Sequence, residues 1–415
     1  MGEVVITRQN GGLGRRNSSE DAISGMVIST NSYDSNLVNK VIELNSPVDA
    51  ITNGITAAKD TTYSTKVYSE IAEFYRLAPG AKLFILILSN AATLTAVADK
   101  ANTTNLVKLL RSTEAKGRIR QVAICADDTV STAFGDVITR TVGGGGVVSF
   151  SGAVVKAQAL ALEEETQKRP VFILVEGKHF TGTGTNAVDL REAACNHVGV
   201  SLVKNNNPVD TLKRSSVGTV LGMIARRKVN ECIGYVGEEN SPLSGNIQDN
   251  DNYTNPKLSS DLALDSYTDT DWTQLDTKGY IFPKVYNGHV GVYLNDSHTC
   301  APTSDDYSTI ENVRTIHKAI RTAYKALVPY INSTIKINTD GTLPQAVCSH
   351  FQNVVNVAIR KEMGAADEIS SVDTYVDPNQ NLLATSEIAV SVEIIPTGVA
   401  RKIVVPIGFK NPFNS

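Results

Sequence analysis

Four short apolar runs, which alternate with segments of helical composition, constrain the fold of this chain more than any other feature. Such runs are typical of strands that are buried on both faces of a sheet. The runs occupy residues 82–88, 120–125, 170–175 and 198–203, and the helical segments occupy residues 65–77, 104–112, 153–167 and 186–196. This alternation between about residues 35 and 235 predicts an α/β domain with a mainly central sheet, and we expect its strands to pair in parallel.

The pattern changes after residue 278, where helices and alternating strands replace the buried runs. Ser308-Thr-Ile-Glu311 matches a capping box, because its hydroxyl and its carboxylate can each satisfy an unpaired backbone N–H. The helix that follows carries an apolar stripe formed by Ile310, Val313, Ile316, Ile320, Tyr324 and Leu327. A second helix is predicted over 343–362 and two alternating strands over 388–394 and 401–409. The C-terminal portion is therefore predicted to be α+β.

Both ends of the chain resemble segments that pair outside their own domain. Residues 3–7 are strand-like, and glycines and charged residues separate them from the rest of the chain, so they are predicted to form an arm. At the other end, Pro406 lies inside an alternating strand, and proline lacks the N–H that a central strand donates. The last strand is therefore predicted to lie at a sheet edge, where it is a candidate for pairing with another chain.

Length, charge and cysteine content exclude several classes of protein. The chain has 415 residues, which favours two or three domains, and a net charge of −4. A dedicated nucleic-acid-binding protein needs a basic excess, so none is expected. The start of the chain has no signal-peptide pattern, and the longest apolar run is far too short to span a bilayer, so we expect no membrane insertion. The five cysteines form no C-x-x-C pair, which argues against a zinc site and a disulfide framework.

No cluster of residues in the sequence predicts catalysis. The strongest nucleotide-like signal is Gly182-Thr-Gly-Thr-Asn-Ala187, which leaves open a cytoplasmic α/β enzyme with a cofactor loop here. The acidic residue that dinucleotide binding needs is missing, since the next strand ends in Val203-Lys-Asn-Asn206. His289 and His298 lie near Asp296 without metal-ligand spacing and are interpreted as loop residues. No catalytic, cofactor-binding or metal-binding residue is therefore predicted.

Basic residues form a second face of the helix that follows the predicted capping box. Arg314, Lys318, Arg321 and Lys325 recur at i, i+4, i+7 and i+11. This face is interpreted either as a solvated surface or as a site that docks onto an acidic partner. His317 adjoins the apolar stripe of the same helix and is interpreted as a packed core histidine.

Several stretches, taken in order, make the chain similar to contractile tail sheath proteins of phages and related injection machines. The stretches are NGGLGR at 10–15, AEFYRLAP at 72–79, GRIRQVAI at 117–124, DTKGYIFPKVYNGHVGVY at 276–293, SDDYSTI at 304–310 and NVRTIHK at 312–318. Their order and span carry the resemblance, and the C-terminal half matches more closely than the N-terminal half.

The resemblance implies a multi-domain subunit in which a peripheral α/β domain lies on an inner α+β assembly domain with extended N- and C-terminal strand arms. The expected divisions are the N-terminal arm and first strand at 1–34, the peripheral domain at 35–277 with an Asp/Asn-rich loop at 237–277, the inner domain at 278–400 and the C-terminal arm at 401–415. The arms would add strands to the sheets of neighbouring subunits. Their strand-forming residues are expected to be Val4, Val5 and Ile6 at one end and Ile403, Val404, Val405 and Ile407 at the other.

The resemblance also implies a structural subunit, not an enzyme, that needs no cofactor. It would polymerise helically around a tail tube and contract to drive the tube through a target envelope. Its expected partners are further copies of itself, the tail tube protein, and baseplate and tail terminator proteins, with no nucleic acid. It would be assembled in the bacterial cytoplasm and reside in the tail of a virion or injection particle. Arg314, Lys318, Arg321 and Lys325 are the residues expected to face the tube.

Overall fold

The computed structural model of the chain describes residues 20–127, 130, 132–205, 212–237, 256–289 and 291–409. The strands in these ranges are β1 Ser24–Ser29, β2 Val41–Leu44, β3 Leu83–Leu88, β4 Gln121–Ala126, β5 Thr139–Val142, β6 Val148–Ser151, β7 Phe172–Glu176, β8 Val198–Ser201, β9 Val203–Lys204, β10 Lys257–Leu258, β11 Tyr280–Ile281, β12 Pro283–Lys284, β13 Tyr293–Leu294, β14 Ile369–Tyr375 and β15 Ser391–Pro396. The α-helices are α1 Pro47–Thr52, α2 Ala57–Tyr63, α3 Val67–Leu77, α4 Leu94–Ala98, α5 Leu106–Leu110, α6 Ala153–Thr166, α7 Val217–Arg226, α8 Asp269–Thr277, α9 Ile310–Leu327, α10 Gln345–Ile359 and α11 Leu382–Thr385.

A seven-stranded sheet forms the centre of the larger part of the molecule. Its strand order is β11-β8-β7-β4-β1-β3-β2, and each neighbouring pair is parallel except β2 with β3. Hydrophobic cores cover both faces: Val27 packs with side chains of α4, α5 and α6, whereas Met26 and Ile28 pack with those of α3 and α7. The four apolar runs of the sequence become β3, β4, β7 and β8, so the predicted sheet and its parallel pairing are confirmed.

The first strand belongs to this sheet and not to an N-terminal arm. β1 lies at the centre, with Met26 beside Ile85 of β3 on one side and beside Ala123 of β4 on the other. The first strand of the segment expected at 1–34 therefore pairs with strands of the segment expected at 35–277. Long-range pairing on both edges of β1 buries a strand whose local sequence is short and flanked by polar residues.

The boundary expected at residues 277 and 278 also divides elements that pack together. β11 extends the sheet by pairing with β8, and α8 immediately precedes it. A capping box starts α8, where Thr268 accepts from the backbone N–H of Asp271 at 3.2 Å and the Asp271 carboxylate accepts from the Thr268 N–H at 3.0 Å. The Asp/Asn-rich segment therefore contains a helix where the sequence indicates only a loop.

A smaller C-terminal unit is built from α9, α10 and the two-stranded sheet β14–β15. Side chains from all these elements share a core that contains Ala319, Val355, Ile359, Ile369 and Val372. The first turn of α9 instead packs into the core of the large sheet through Ile310 and Val313. Helix α9 therefore lies against both units, and the helices and strands predicted for 310–327, 343–362 and 388–394 are confirmed with small shifts at their ends.

The capping box predicted at the start of α9 does not form. Thr309 is the N-cap residue, and its side chain makes no capping hydrogen bond. The Glu311 carboxylate accepts instead from the Ser297 hydroxyl and contacts the Arg401 guanidinium. A tertiary ion pair thus replaces the local interaction that the sequence indicates.

Candidate assembly surface

The C-terminal segment 397–409 follows β15 and leaves the body of the subunit as an exposed apolar stretch. Ile403 is 80% exposed and Ile407 is 91% exposed, and Val404, Val405 and Phe409 are also exposed. Residues 401–409 form no strand within this chain, so the edge strand predicted here is absent from the described part of the isolated subunit. The physical reason is that no described strand of the same chain lies beside the segment, and a strand needs a neighbouring edge for its hydrogen bonds.

Arg401 fixes the base of this segment to the body of the subunit. Its Nε donates to Asp296 Oδ2 at 2.8 Å, and its Nη2 donates to the Glu311 carboxylate. Glu311 is only 2% exposed, and it belongs to the first turn of α9. Although burial acts in the opposite direction, these two carboxylates hold the pKa of Arg401 above its ordinary value. The segment is therefore held at residue 401 and exposed beyond it.

The sheet β14–β15 presents edges that no further described strand covers. Its two strands pair antiparallel, with Val372 beside Ile394 and Thr374 beside Val392. One face packs on α10, and the outer residues Tyr375 and Ile395 are exposed. An open edge of this kind carries backbone N–H and C=O groups that can pair with a strand from another chain.

The basic row of α9 is mostly buried against the same chain, so its interpretation as a solvated surface is wrong for Arg314, Lys318 and Arg321. Arg314 donates to the carbonyl oxygen of Lys228 at 3.0 Å, and Arg321 donates to Asp21 at 2.7 Å. Lys318 lies 2.7 Å from the carboxylates of both Asp21 and Glu368. Of the four, only Lys325 has a strongly exposed side chain, at 66%, where it donates to Glu20 at 3.0 Å.

The segment at residues 20–22, which leads into β1, explains this burial. Asp21 lies over α9, and burial acts to raise its pKa, but Lys318 and Arg321 lower the pKa further than burial raises it. Burial lowers the pKa of Arg314 to about 10, and the Asp21 carboxylate opposes this shift. The acidic partner of the basic row is therefore part of the same subunit. Whether any of the four side chains faces a tube stays a prediction.

The glycine loop at 182–187 is joined to α8 and does not lead into a helix. The Lys278 ammonium donates to the carbonyl oxygens of Gly184 at 2.7 Å and Ala187 at 2.7 Å, and the Gly184 N–H donates to Asp271 at 2.8 Å. A Cβ at Gly184 would lie 2.6 Å from the backbone of Asp271, so glycine is needed here for close packing. The helix predicted over 186–196 is wrong, since only a short 3₁₀ turn, Leu190–Ala193, forms. The ammonium of Lys278 therefore donates to carbonyl oxygens of the loop itself and not to a phosphate.

Other sites suggested by the sequence have simple structural roles. Residues 143–146 form the turn of an exposed hairpin between β5 and β6. His298 lies 3.0 Å from Asp276 and 2.9 Å from the Arg191 guanidinium, so it belongs to a polar network and not to an exposed loop. The arm residues Val4, Val5 and Ile6 lie outside the described residues.

The structure also brings together residues that the sequence could not connect. Glu165, His197 and His317 place one ligand atom each within 4.8 Å of one another. At the carboxyl edge of the large sheet, Lys66 forms a buried ion pair with Glu176, and burial raises the pKa of Glu70 to about 7. No local spacing indicates either cluster, because each combines residues from distant elements.

Helices long and apolar enough to cross a membrane are absent from the described residues.

No curated protein matches the sequence significantly. The chain is similar in structure, however, to sheath proteins of contractile injection systems and to tail sheath proteins, over nearly its whole length.

Three solved structures illustrate this likeness. A chain of the anti-feeding prophage baseplate has a TM-score of 0.63 and 14% identity, covering 99% of this chain and 99% of that chain. A chain of the contracted sheath complex of an extracellular contractile injection system, PVC, has a TM-score of 0.61 and 11% identity, covering 99% and 98%. The sheath tail protein of Desulfitobacterium hafniense has a TM-score of 0.50 and 11% identity, covering 95% and 100%. Since identities this low show the fold alone, the chain shares the fold of contractile sheath proteins.

Family models match almost the entire sequence. The model of the DUF2586 N-terminal domain matches residues 1–298, and the model of the DUF2586 C-terminal domain matches residues 306–414. The gap between the two matches precedes α9, the helix that lies against both structural units. The chain therefore belongs to the DUF2586 family and has the fold of a contractile sheath protein.

Proposed function

We propose that the chain is the structural subunit of a contractile sheath, which polymerises helically around a tail tube and contracts to drive the tube through a target envelope. The observation that carries this proposal is the exposed apolar segment after Arg401, where Ile403 and Ile407 have no apolar cover within the described chain. Burying each such side chain would contribute about 1.5–3 kcal/mol of stabilising free energy, which is absent while the side chain stays in water. The likeness to sheath proteins over nearly the whole chain supports the same conclusion.

In the proposed assembly, the segment 402–409 of one subunit adds a strand to the β14–β15 sheet of a neighbour. Each backbone hydrogen bond of such an addition contributes a net of about 0.5–1.5 kcal/mol, and the alternate side chains add apolar burial. The N-terminal arm, with Val4, Val5 and Ile6, is proposed to contribute the corresponding contact at the other end. Because these contacts join different surfaces of successive subunits, they generate an open helical array.

The anchor at Arg401 suggests how subunits stay connected while they move. The residue is held by Asp296 and Glu311, whereas the segment beyond it is attached to its own subunit only through the backbone. A neighbour bound to the segment can therefore shift relative to the subunit body without breaking the strand contact. Contraction would release the free-energy difference between two packings of the same subunits, with no nucleotide consumed and no catalytic role.

The remaining partners follow from the same role. A tail tube protein, a baseplate and a tail terminator would cap or line the array, and a similar chain in a baseplate structure supports the baseplate contact. Assembly would take place in the bacterial cytoplasm, and the product would reside in the tail of a virion or injection particle. We place the tube on the side of α9, where Lys325 is the basic side chain of the row that is strongly exposed.

Electron microscopy of the purified full chain tests the proposal. A sheath subunit assembles into long hollow cylinders, whereas a protein of another class gives discrete small particles. The variants that connect this outcome to the C-terminal segment are described in the Discussion.

A further inference from the structure

Three potential metal ligands converge where the large sheet domain meets helix α9. Glu165 lies in the last turn of α6, His197 immediately precedes β8, and His317 lies in α9. One ligand atom from each lies within 4.8 Å of the other two. The cluster therefore joins residues of the two regions that the two DUF2586 models match.

His317 supplies the first sign that a ligand is missing from this cluster. Its side chain is buried, with 2% of the residue exposed, and both ring nitrogens lack a hydrogen-bond partner among the described residues. Leaving a buried polar group unpaired costs about 1–3 kcal/mol. The His317 ring lies 5.1 Å from the His197 ring, centroid to centroid, and one His317 nitrogen lies within 4.8 Å of ligand atoms of His197 and Glu165.

The hydrogen bonds of His197 supply a second and independent sign. Asn196 Oδ1 lies 2.7 Å from His197 Nδ1 and accepts from Gln158 Nε2 at 2.9 Å, and Gln158 Nε2 itself lies 3.3 Å from the same Nδ1. The shorter of the two contacts of Nδ1, to the Asn196 oxygen, favours a proton on Nδ1, and in that tautomer of the neutral imidazole Nε2 carries a lone pair. Glu165 Oε2 lies 2.6 Å from that Nε2. A lone pair and a carboxylate oxygen at this distance repel each other unless a cation lies between or beside them.

A proton or a metal ion can supply that positive charge, and the two differ in what they do for His317. Protonated His197 would satisfy Glu165 but leave both His317 nitrogens unpaired. A metal ion bound by all three residues satisfies Glu165, His197 and one His317 nitrogen together. The bond from Nδ1–H to Asn196 is also the kind of outer contact that orients a metal-binding histidine.

We propose that Glu165, His197 and His317 bind a divalent transition-metal ion of the zinc class. Zinc takes histidine nitrogen and carboxylate oxygen at about 2.0–2.1 Å in a tetrahedral arrangement, with water able to fill the fourth position. Tetrahedral ligand atoms at those bond lengths lie about 3.3 Å apart, so the Glu165 carboxylate, now 2.6 Å from His197 Nε2, has to move outward by about 0.7 Å. The three ligand atoms lie within 4.8 Å of one another, so any pair further apart than about 3.3 Å has to move closer when the ion binds. Its side chain is a third exposed at the end of α6, which leaves room for this shift.

Three arginines, Arg120, Arg314 and Arg321, bring positive charge near His317. Arg321 pairs with Asp21 and Arg314 donates to backbone carbonyl oxygens, and the Glu165 carboxylate supplies the negative charge that a bound cation needs in this setting. Both ring nitrogens of buried His317 lack a hydrogen-bond partner among the described residues, so either nitrogen is available to coordinate. The bound ion would hold α9, and the C-terminal unit that packs on it, in a defined position against the large sheet domain.

Cobalt(II) is the probe for this site, because it replaces zinc in tetrahedral sites and its absorption reports the geometry. The full-length chain is dialysed against a chelator, freed of chelator and titrated with cobalt chloride. We expect stoichiometric binding with the visible absorption of a tetrahedral site. We also expect Glu165→Gln and His317→Gln to weaken binding by on the order of tenfold or more. The control is His289→Gln, the same change at an exposed histidine outside the cluster, which leaves binding unchanged.

Two results would overturn the proposal. One is a folded wild-type chain that binds cobalt only substoichiometrically, which would leave the Glu165–His197 contact as an ordinary hydrogen bond without a metal. The other is a Glu165→Gln variant that binds as tightly as the wild type. Because the Glu165 side chain is partly exposed, we expect Glu165→Gln to fold. Its cobalt binding therefore tests the site even if His317→Gln fails to fold. Neither result depends on polymerisation, so the metal site and the sheath function are tested separately.

Discussion

Arg401 and Glu311, 90 residues apart in sequence, form an ion pair at the base of the C-terminal segment. Glu311 is buried in the first turn of α9, and the Ser297 hydroxyl also donates to its carboxylate. The position at which the exposed segment leaves the subunit is thus set by the helix that contacts both structural units. A change in the attachment of α9 would move the origin of the segment with it.

Removal of the arginine side chain should destabilise the subunit. In Arg401→Ala the buried Glu311 carboxylate loses a charged partner, and we expect the free energy of unfolding to fall by about 1–3 kcal/mol. Urea denaturation measures this change. The control is Arg140→Ala, which removes an exposed ion pair with Glu192 and should cost less than about 1 kcal/mol. Equal effects of the two substitutions would show that Arg401 does not anchor the segment.

Asp21 should contribute strongly to the attachment of α9 to the large domain. Its carboxylate lies 2.7 Å from both Lys318 and Arg321, and Asp21→Asn removes the charge while it preserves the size of the side chain. We expect a loss of about 2–4 kcal/mol in the free energy of unfolding, because the two cations stay partly buried. Glu20→Gln, at the exposed pair with Lys325, is the matched control and should change it by less than about 1 kcal/mol. A small effect at Asp21 would contradict the assignment of the basic row to intramolecular pairing.

Stability should fall as pH rises toward neutrality, through two buried carboxyl groups. Burial raises the pKa of Glu70 from 4.5 to about 7 and that of Asp127 from 3.8 to about 7. Between the ordinary pKa of each group and its raised pKa in the fold, the folded state binds more protons than the unfolded state. Each group therefore destabilises the fold progressively as pH increases from about 4 to about 7. Above pH 7 both states are ionised and the penalty is constant.

The variant that isolates this effect is Glu70→Gln, whose amide oxygen can still accept from the Gly218 N–H. We expect the variant to become more stable relative to the wild type as pH rises. Its unfolding free energy minus that of the wild type should increase by about 1–3 kcal/mol between pH 4 and pH 7. Thermal or urea denaturation across this range measures it. A difference that is independent of pH would show that Glu70 does not titrate there.

Lys325 is the residue of the basic row at which tube binding can be tested without disturbing the fold. Lys325→Glu places a negative charge on the exposed surface of α9, and we expect weaker co-assembly with the tube with little change in subunit stability. Co-sedimentation of sheath and tube measures the effect. The same reversal at Lys156, an exposed lysine on α6, serves as the control. Normal co-assembly of Lys325→Glu would remove α9 from the proposed tube contact.

The central sheet could be predicted from the sequence because its strands are buried on both faces, which leaves runs such as Leu83–Leu88 almost purely apolar. The central position of β1 could not be predicted, since it depends on partners 59 and 97 residues away, as Ser24 beside Leu83 and beside Gln121 shows. The apolar stripe of α9 was also predictable, because helical periodicity is a local property.

The environment of the charged and metal-binding side chains could not be predicted in the same way. The row from Arg314 to Lys325 is regular in sequence, but its burial depends on Asp21, which lies 300 residues from Arg321. His197 and His317 come together only when α9 packs against the large sheet domain. The C-terminal segment is the converse case: its alternating pattern predicts a strand, but none forms there because no partner strand lies beside it in the described part of its own chain.

Electron microscopy of the full-length chain, combined with substitutions in the C-terminal segment, tests the central claim most directly. In Ile403→Asp/Ile407→Asp, charges replace two exposed side chains that contribute little to the isolated subunit, so the variant should fold with unchanged circular dichroism and thermal stability. The control is Val142→Asp, an equivalent change at an exposed valine of the β5–β6 hairpin.

We predict that the wild type and the Val142→Asp control form long hollow cylinders, and that the folded Ile403→Asp/Ile407→Asp variant remains as separate subunits. Discrete small particles from the wild-type chain, or cylinders of equal length and number from the double variant, would contradict the account.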